Sequence, residues 1–134
     1  MCSTCQSHIR HLWGPNQQKL ELRTIHDGYW ISLQQCPECD TYWVYSPYEP
    51  YASFSYWVKW LGNSDSWETI HSHDNGATIR AWHKMEIRKH WRKLPATDQQ
   101  AIEAHRRRSY FSHNPIDMKV ENEGEIRRTM KRYL

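Results

Sequence analysis

The chain has no long hydrophobic run, and this absence excludes a membrane-spanning helix. Its apolar stretches are far shorter than the about 20 consecutive apolar residues that such a helix needs. No secretory or transit segment is recognisable at the N-terminus. The sequence therefore predicts a cytoplasmic protein without a membrane partner.

Catalytic motifs are also missing. The sequence contains no Ser/His/Asp set, no paired-carboxylate motif, no phosphate-binding glycine loop and no His-Glu-x-x-His. We therefore predict that the protein is not an enzyme. One alternative stays open: His71, His73 and Asp74 form a compact group, and His-x-His on a strand would place both imidazoles on one face. This group would serve a metal-dependent hydrolase.

Leu, Ile and Val are scarce, whereas the chain has eight Trp, eight Tyr and two Phe. Large rings must therefore supply much of the core, since each buries about 150–250 Å². Twelve of these eighteen aromatics lie between Trp13 and Trp60, which is more than a small sheet needs inside. The excess predicts an exposed, partner-binding set of rings, because Tyr and Trp dominate interface energetics. Its predicted members are Tyr45, Tyr48, Tyr51, Trp57 and Trp60.

The four cysteines form two C-x-x-C pairs, Cys2 with Cys5 and Cys36 with Cys39. This spacing lets two thiolates reach one ion at about 2.3 Å, and two such pairs are typical of a structural zinc site. Pro37 presets the turn of the second pair, and Asp40 follows it where a left-handed backbone is wanted. Four thiolates would close the tetrahedron, so the predicted cofactor is structural Zn²⁺ without an open coordination position.

Other roles for the cysteines are possible. Disulfides need an oxidising compartment, and redox pairs usually occur singly within a βαβ unit. His8 and His11 lie near the first pair, and either could replace a cysteine ligand.

On helix 79–94, His83 and His90 would lie two turns apart on one face.

The predicted fold class is α+β, with an N-terminal three-stranded antiparallel sheet followed by two or three helices. Residues 19–25, 29–33 and 41–45 alternate between polar and apolar side chains, and Asp27-Gly28 predicts the first hairpin turn. Residues 52–61 fit either a helix or a strand.

Helical periodicity begins at Thr78. Pro95 ends the first predicted helix, and Thr97 with Gln100 predicts the capping box of a second helix over residues 98–111. The tail from residue 116 to 134 has helical spacing as well. We expect a ribbon over residues 1–46, an aromatic connector over 47–77 and a basic helical part over 78–134, sharing one core.

The net charge of +3 is unevenly distributed. Residues 1–75 contain four Lys or Arg against eight acidic residues, and residues 76–134 contain fourteen against seven. Arg106, Arg107 and Arg108 form the densest basic cluster and are also predicted to bind the partner. The cluster is either a solvated helix face or a site for carboxylate or phosphate. Basic residues interleaved with Trp82 and Trp91 also leave nucleic-acid binding as an alternative function.

The arrangement of knuckle, hairpin, knuckle and strand over residues 1–46 resembles a zinc ribbon. The whole chain resembles small cysteine-knuckle proteins of bacteria that act as immunity proteins of polymorphic toxin systems. The resemblance rests on Asp27-Gly28-Tyr29-Trp30, Cys36-Pro37-Glu38-Cys39, Leu94-Pro95-Ala96 and His105-Arg106-Arg107-Arg108-Ser109. It implies a zinc-stabilised module that binds and neutralises a cognate toxin by occlusion.

Overall fold

The computed structural model describes residues 5–12, 21–46, 55–100 and 120–134; the side chains of residues 10–12 and 55 lie outside this description. Its described part is an antiparallel sheet followed by helices, so the α+β class is confirmed. Five strands pair in the order β1-β5-β4-β3-β2. Their bounds are β1 Ile9–Leu12, β2 Arg23–Gly28, β3 Ile31–Gln35, β4 Tyr42–Tyr45 and β5 Ser55–Trp60.

The sheet is larger than the sequence predicts. The three predicted strands correspond to β2, β3 and β4, and the structure adds β1 and β5. Strand β5, within the ambiguous 52–61 segment, lies in the sheet between β1 and β4. Both of its faces are buried, since each residue from Tyr56 to Trp60 is at most 7% exposed. A strand buried on both faces loses the polar/apolar alternation that would have identified it.

The first hairpin turns two residues later than predicted. Gly28 pairs with Ile31, so Tyr29 and Trp30 form the turn and Asp27-Gly28 lies within β2. Trp30 takes a left-handed backbone conformation with φ 60°, which is uncommon for a bulky side chain. Gly28 serves packing instead, because a Cβ there would lie 2.2 Å from Nε2 of His71.

The structure contains three fully described helices: α1 Ser64–Asp74, α2 Ala77–Lys93 and α3 Glu123–Tyr133. Helix α1 lies inside the predicted connector and was not predicted. Asn63 caps it, accepting a hydrogen bond from the Ser66 amide while the Ser66 hydroxyl accepts one from the Asn63 amide. This reciprocal cap and the spacing of Trp67 and Ile70 are sequence signals for a helix that the serine-rich composition concealed.

Helices α2 and α3 confirm the helical periodicity of the C-terminal half. Helix α2 ends at Lys93, just before Pro95. The next helical residues are 96–100, so Thr97 lies inside that helix and the predicted N-cap at Thr97 is wrong. Its start is set by the Pro95 carbonyl, which accepts the Gln99 amide at 3.1 Å. The remainder of the predicted 98–111 helix lies outside the described residues.

The sheet separates two groups of buried side chains. Alternate residues of β3, β4 and β5, such as Leu33, Val44 and Val58, pack with α1, α2 and α3 in the main core. The opposite face carries a smaller cluster of Trp43 and Trp57 with the cysteines. Period-two alternation in the strands thus assigns one face to the helices and the other to the cysteine cluster.

Candidate metal centre

Three cysteines from two distant parts of the sequence meet at one end of the sheet. The Sγ atoms of Cys5, Cys36 and Cys39 all lie within 4.8 Å of one another. Cys5 and Cys36 are buried, and Cys39 is half-buried. No disulfide joins these three cysteines to one another. Their convergence fits a shared metal ion, since sulfur ligands about 2.3 Å from one ion must lie this close together.

The second cysteine pair occupies the tight connection between β3 and β4. The Asp40 amide donates to the Cys36 carbonyl and the Cys36 amide to the Thr41 carbonyl, both at 2.9 Å. Asp40 has φ 61°, so the predicted left-handed residue after the second cysteine is confirmed. These backbone bonds hold both thiols of the turn on the same side, which is the geometry of a metal knuckle.

Cys5 reaches the cluster from the segment that precedes β1. Because β1 is hydrogen-bonded to β5, the segment is fixed to the sheet. The buried Lys59 of β5 donates a hydrogen bond from Nζ to the Cys5 carbonyl, and its ammonium lies 5.5 Å from the Trp43 ring centroid. Cys2, the fourth predicted ligand, lies outside the described residues.

The surroundings of the thiols are mixed in polarity. The Cys39 sulfur lies 3.1 Å from the Thr41 hydroxyl, a hydrogen bond that helps to orient it. Trp43 and Trp57 cover the buried side of the cluster, and the Trp57 indole donates to the Gln34 side chain at 2.8 Å. Thiolates in such a setting would retain sulfur–metal bonds while the rings exclude water.

Of the two histidines near the first cysteine pair, only His8 has a described side chain, and it lies outside the cysteine cluster. His8 is exposed, and its Nε2 lies 3.1 Å from a carboxylate oxygen of Glu86 on α2. This contact lowers the pKa of Glu86, chiefly through the hydrogen bond from His8. The side chain of His11 lies outside the described residues.

The predicted His71-His73-Asp74 group does not form a metal site. These residues lie on helix α1, not on a strand, and residues two apart on a helix point in different directions. His71 stacks on Trp67 with ring centroids 5.8 Å apart, while His73 is exposed. Burial, followed by the charge of Arg80, lowers the pKa of His71. Among the described residues, the convergent cysteines are the one group of metal-type ligands.

His83 and His90 lie on α2, as predicted, but their environments differ. His83 is fully buried in the core, and its Nε2 lies 3.4 Å from the Tyr56 carbonyl. Burial lowers the pKa of His83 to about 4. Burial, followed by the charge of His8, also lowers the pKa of His90.

The members of the predicted partner-binding set that the structure describes are largely internal. Trp60 is 2% exposed and packs edge-on against Trp67 and Trp82 in the main core. Trp57 is 7% exposed and stacks on the half-buried Tyr45, with ring centroids 4.6 Å apart. The assignment of Trp57 and Trp60 to a partner-binding surface is therefore wrong. The helices cover Trp60, and Trp57 is buried on the opposite face of the sheet, with Tyr45 and the cysteine cluster. The other predicted members, Tyr48, Tyr51, Arg106, Arg107 and Arg108, lie outside the described residues.

Exposed rings occur instead at the tip of the β2–β3 hairpin. Tyr29 is 57% exposed and Trp30 is 43% exposed, and their ring centroids lie 5.8 Å apart. The Arg80 guanidinium lies 5.2 Å from the Tyr29 ring centroid and donates to the Tyr29 carbonyl at 2.8 Å. The Ser46 hydroxyl donates to the Trp30 carbonyl at 2.6 Å. The sequence does not predict these exposed rings, because its pattern places the turn at Asp27-Gly28 and assigns Tyr29 and Trp30 to the next strand.

No known protein family, curated protein or solved structure matches the chain. Among the helices that the structure describes, none is long and apolar enough to cross a membrane.

Proposed function

We propose that this protein is a zinc-stabilised protein-binding module. Zinc would be held by Cys5, Cys36 and Cys39 of the cluster together with Cys2. The sulfur donor set supports zinc, because thiolates favour this ion and four of them complete its tetrahedron. The ion would fix the segment before β1 to the β3–β4 connection. No step of chemistry is assigned to it, since a closed site has no position for a substrate.

The observation that carries protein binding is the exposed pair Tyr29 and Trp30 beside Arg80. Tyr, Trp and Arg are the residue types most enriched at interface hot spots. Hydrogen bonds from Arg80 and Ser46 hold the backbone of both turn residues. A turn that is already ordered loses little conformational entropy on binding, so such a surface favours tight association.

The proposed partner is a cognate bacterial toxin, which the module would neutralise by occlusion. This choice rests on the resemblance to immunity proteins stated above. The uneven charge of the two halves of the chain suits rapid encounter with a partner of complementary charge.

The test is co-expression with the toxin encoded beside the gene, followed by measurement of cell growth and of affinity by calorimetry. The wild type is expected to restore growth and bind the toxin. Trp30→Asn, which keeps a residue tolerant of the left-handed turn, and Tyr29→Ala should each weaken binding about tenfold or more. Leu61→Asn is the matched control, because Leu61 is exposed but lies away from the hairpin tip.

Two results would contradict the proposal. If the wild-type protein neither binds the toxin nor restores growth, the toxin is not its partner. If Trp30→Asn, Tyr29→Ala and Leu61→Asn all bind the toxin with wild-type affinity, the hairpin tip is not the binding surface.

Nucleic-acid binding is the second candidate function. It is supported by the ten Lys and Arg residues of α2 and α3 taken together. Phosphate contacts of this kind weaken steeply as salt increases. Retention of DNA or RNA at low salt that falls with added salt would support this function, and no retention at low salt would eliminate it.

A further inference from the structure

Four of the eight residues that line a groove between α2 and α3 are cations. It has a volume of about 320 Å³, near the lower end of ligand-pocket sizes of about 300–1,000 Å³. Its apolar lining comes from Trp82, Met85 and Met130. Its charged lining comprises Arg88, Lys89, Arg92, Arg127 and Glu86.

Cations outnumber carboxylates among the described charged residues at the groove. Glu123 of α3 pairs with both Arg88 and Arg127, so one carboxylate is shared by two guanidinium groups. Glu86 is engaged by His8. Lys89 and Arg92 are exposed, and neither forms an ion pair within the described part of the chain. Positive charge is therefore in excess at the mouth of the groove.

The guanidinium groups also act on one another. Burial is the main factor that lowers the pKa of Arg88, and the positive charges of Arg92 and Arg127 lower it further. A bound anion would relieve this repulsion. A guanidinium presents several N–H donors in a planar fork, which matches the oxygens of a phosphate group.

We infer that the groove between α2 and α3 binds a small phosphorylated molecule, with Arg92, Lys89 and Arg127 around the phosphate. The indole and thioether lining would contact the apolar part of the ligand. A compact cavity favours one phosphorylated small molecule over a nucleic-acid strand, which needs a track that follows its backbone. This site is separate from the hairpin tip and does not depend on the proposed protein partner.

The test is calorimetric titration of the zinc-loaded full chain with inorganic phosphate and pyrophosphate at low salt. A short single-stranded DNA is titrated in parallel to distinguish a nucleic-acid source of phosphate. The informative variant is Arg92→Gln, and the matched control is its neighbour Lys93→Gln, which removes the same charge outside the groove lining. Both residues are exposed, so both variants should fold like the wild type.

The expected result is saturable pyrophosphate binding that Arg92→Gln weakens about tenfold, as loss of a charge-assisted hydrogen bond predicts. Lys93→Gln should weaken it less than about threefold. Absence of saturable binding of either phosphate probe would overturn the inference. Equal losses in both variants, or DNA binding tighter than pyrophosphate binding, would overturn it in favour of diffuse attraction for polyanions.

Discussion

Lys59 donates a hydrogen bond from its ammonium to the backbone carbonyl of Cys5, which connects a buried cation of β5 to the backbone of a residue in the candidate metal centre. Lys59 lies on the face of the sheet that carries Trp43 and Trp57. A buried lysine is costly unless its charge is compensated. A zinc ion with four thiolates has a net negative charge, so a metal-loaded cluster would favour the nearby Lys59 ammonium.

Replacing Lys59 by methionine is expected to lower the free energy of unfolding by about 1–3 kcal/mol. Methionine retains the apolar stem but leaves the Cys5 carbonyl without the ammonium donor. Chemical denaturation of the zinc-loaded protein measures the effect. Lys59→Arg keeps the charge and is the control, and equal stability of wild type and Lys59→Met would contradict a stabilising role for the Lys59 ammonium.

Removal of zinc is expected to lower Tm by at least about 10 °C, because ligand binding to the folded state is linked to its stability. A strong chelator and Cys36→Ser should have the same effect. The main core includes α1, α2 and α3 and lies on the other face of the sheet, so helical circular dichroism should persist below the new Tm. Metal analysis must show that zinc is gone, and an unchanged Tm in that sample would refute a stabilising site.

Gly28→Ala is expected to destabilise the fold by about 1–3 kcal/mol through overpacking. The added Cβ would lie 2.2 Å from Nε2 of His71, whose ring is stacked on Trp67. In the His71→Ala background the same substitution should cost much less, since the obstructing ring is absent. Thermal denaturation of the four proteins in this cycle gives the coupling, and purely additive effects would show that His71 is not the obstacle.

Acid is expected to destabilise the protein through His83. Its pKa is about 4 in the folded state, against an ordinary value of 6.5, so the unfolded chain binds this proton more readily. The stabilisation is complete above pH 6.5 and is lost as the pH falls toward 4, in total about 3 kcal/mol. Zinc release at low pH would also destabilise the protein, so its effect must be separated from that of His83 protonation.

The comparison of wild type with His83→Gln separates the two contributions. Glutamine does not titrate and retains an N–H donor for the Tyr56 carbonyl, although it fills the site less well. The free energy of unfolding should therefore decrease less between pH 7 and pH 5 in the variant than in the wild type. Equal decreases would show that protonation of His83 does not contribute.

The metal centre and the fold were accessible from the sequence to different degrees. The C-x-x-C spacing predicts the ligands of the cluster because local turn geometry brings two thiols together, and three of the four cysteines are described and converge. Strands β2, β3 and β4 were identified from residue alternation, and α2 and α3 from helical periodicity. Strand β5 was ambiguous because burial on both faces removes alternation.

Surface composition could not be predicted in the same way. Sequence alone determined the residue types: a core rich in aromatics, a cysteine cluster and a basic C-terminal half. Tertiary structure alone decided that Trp57 and Trp60 are internal while Tyr29 and Trp30 are exposed. The physical reason is that an aromatic ring gains stability from burial wherever a neighbouring element can cover it. Which rings are covered depends on the strand order and on helix packing, and both are set by contacts between residues far apart in the chain.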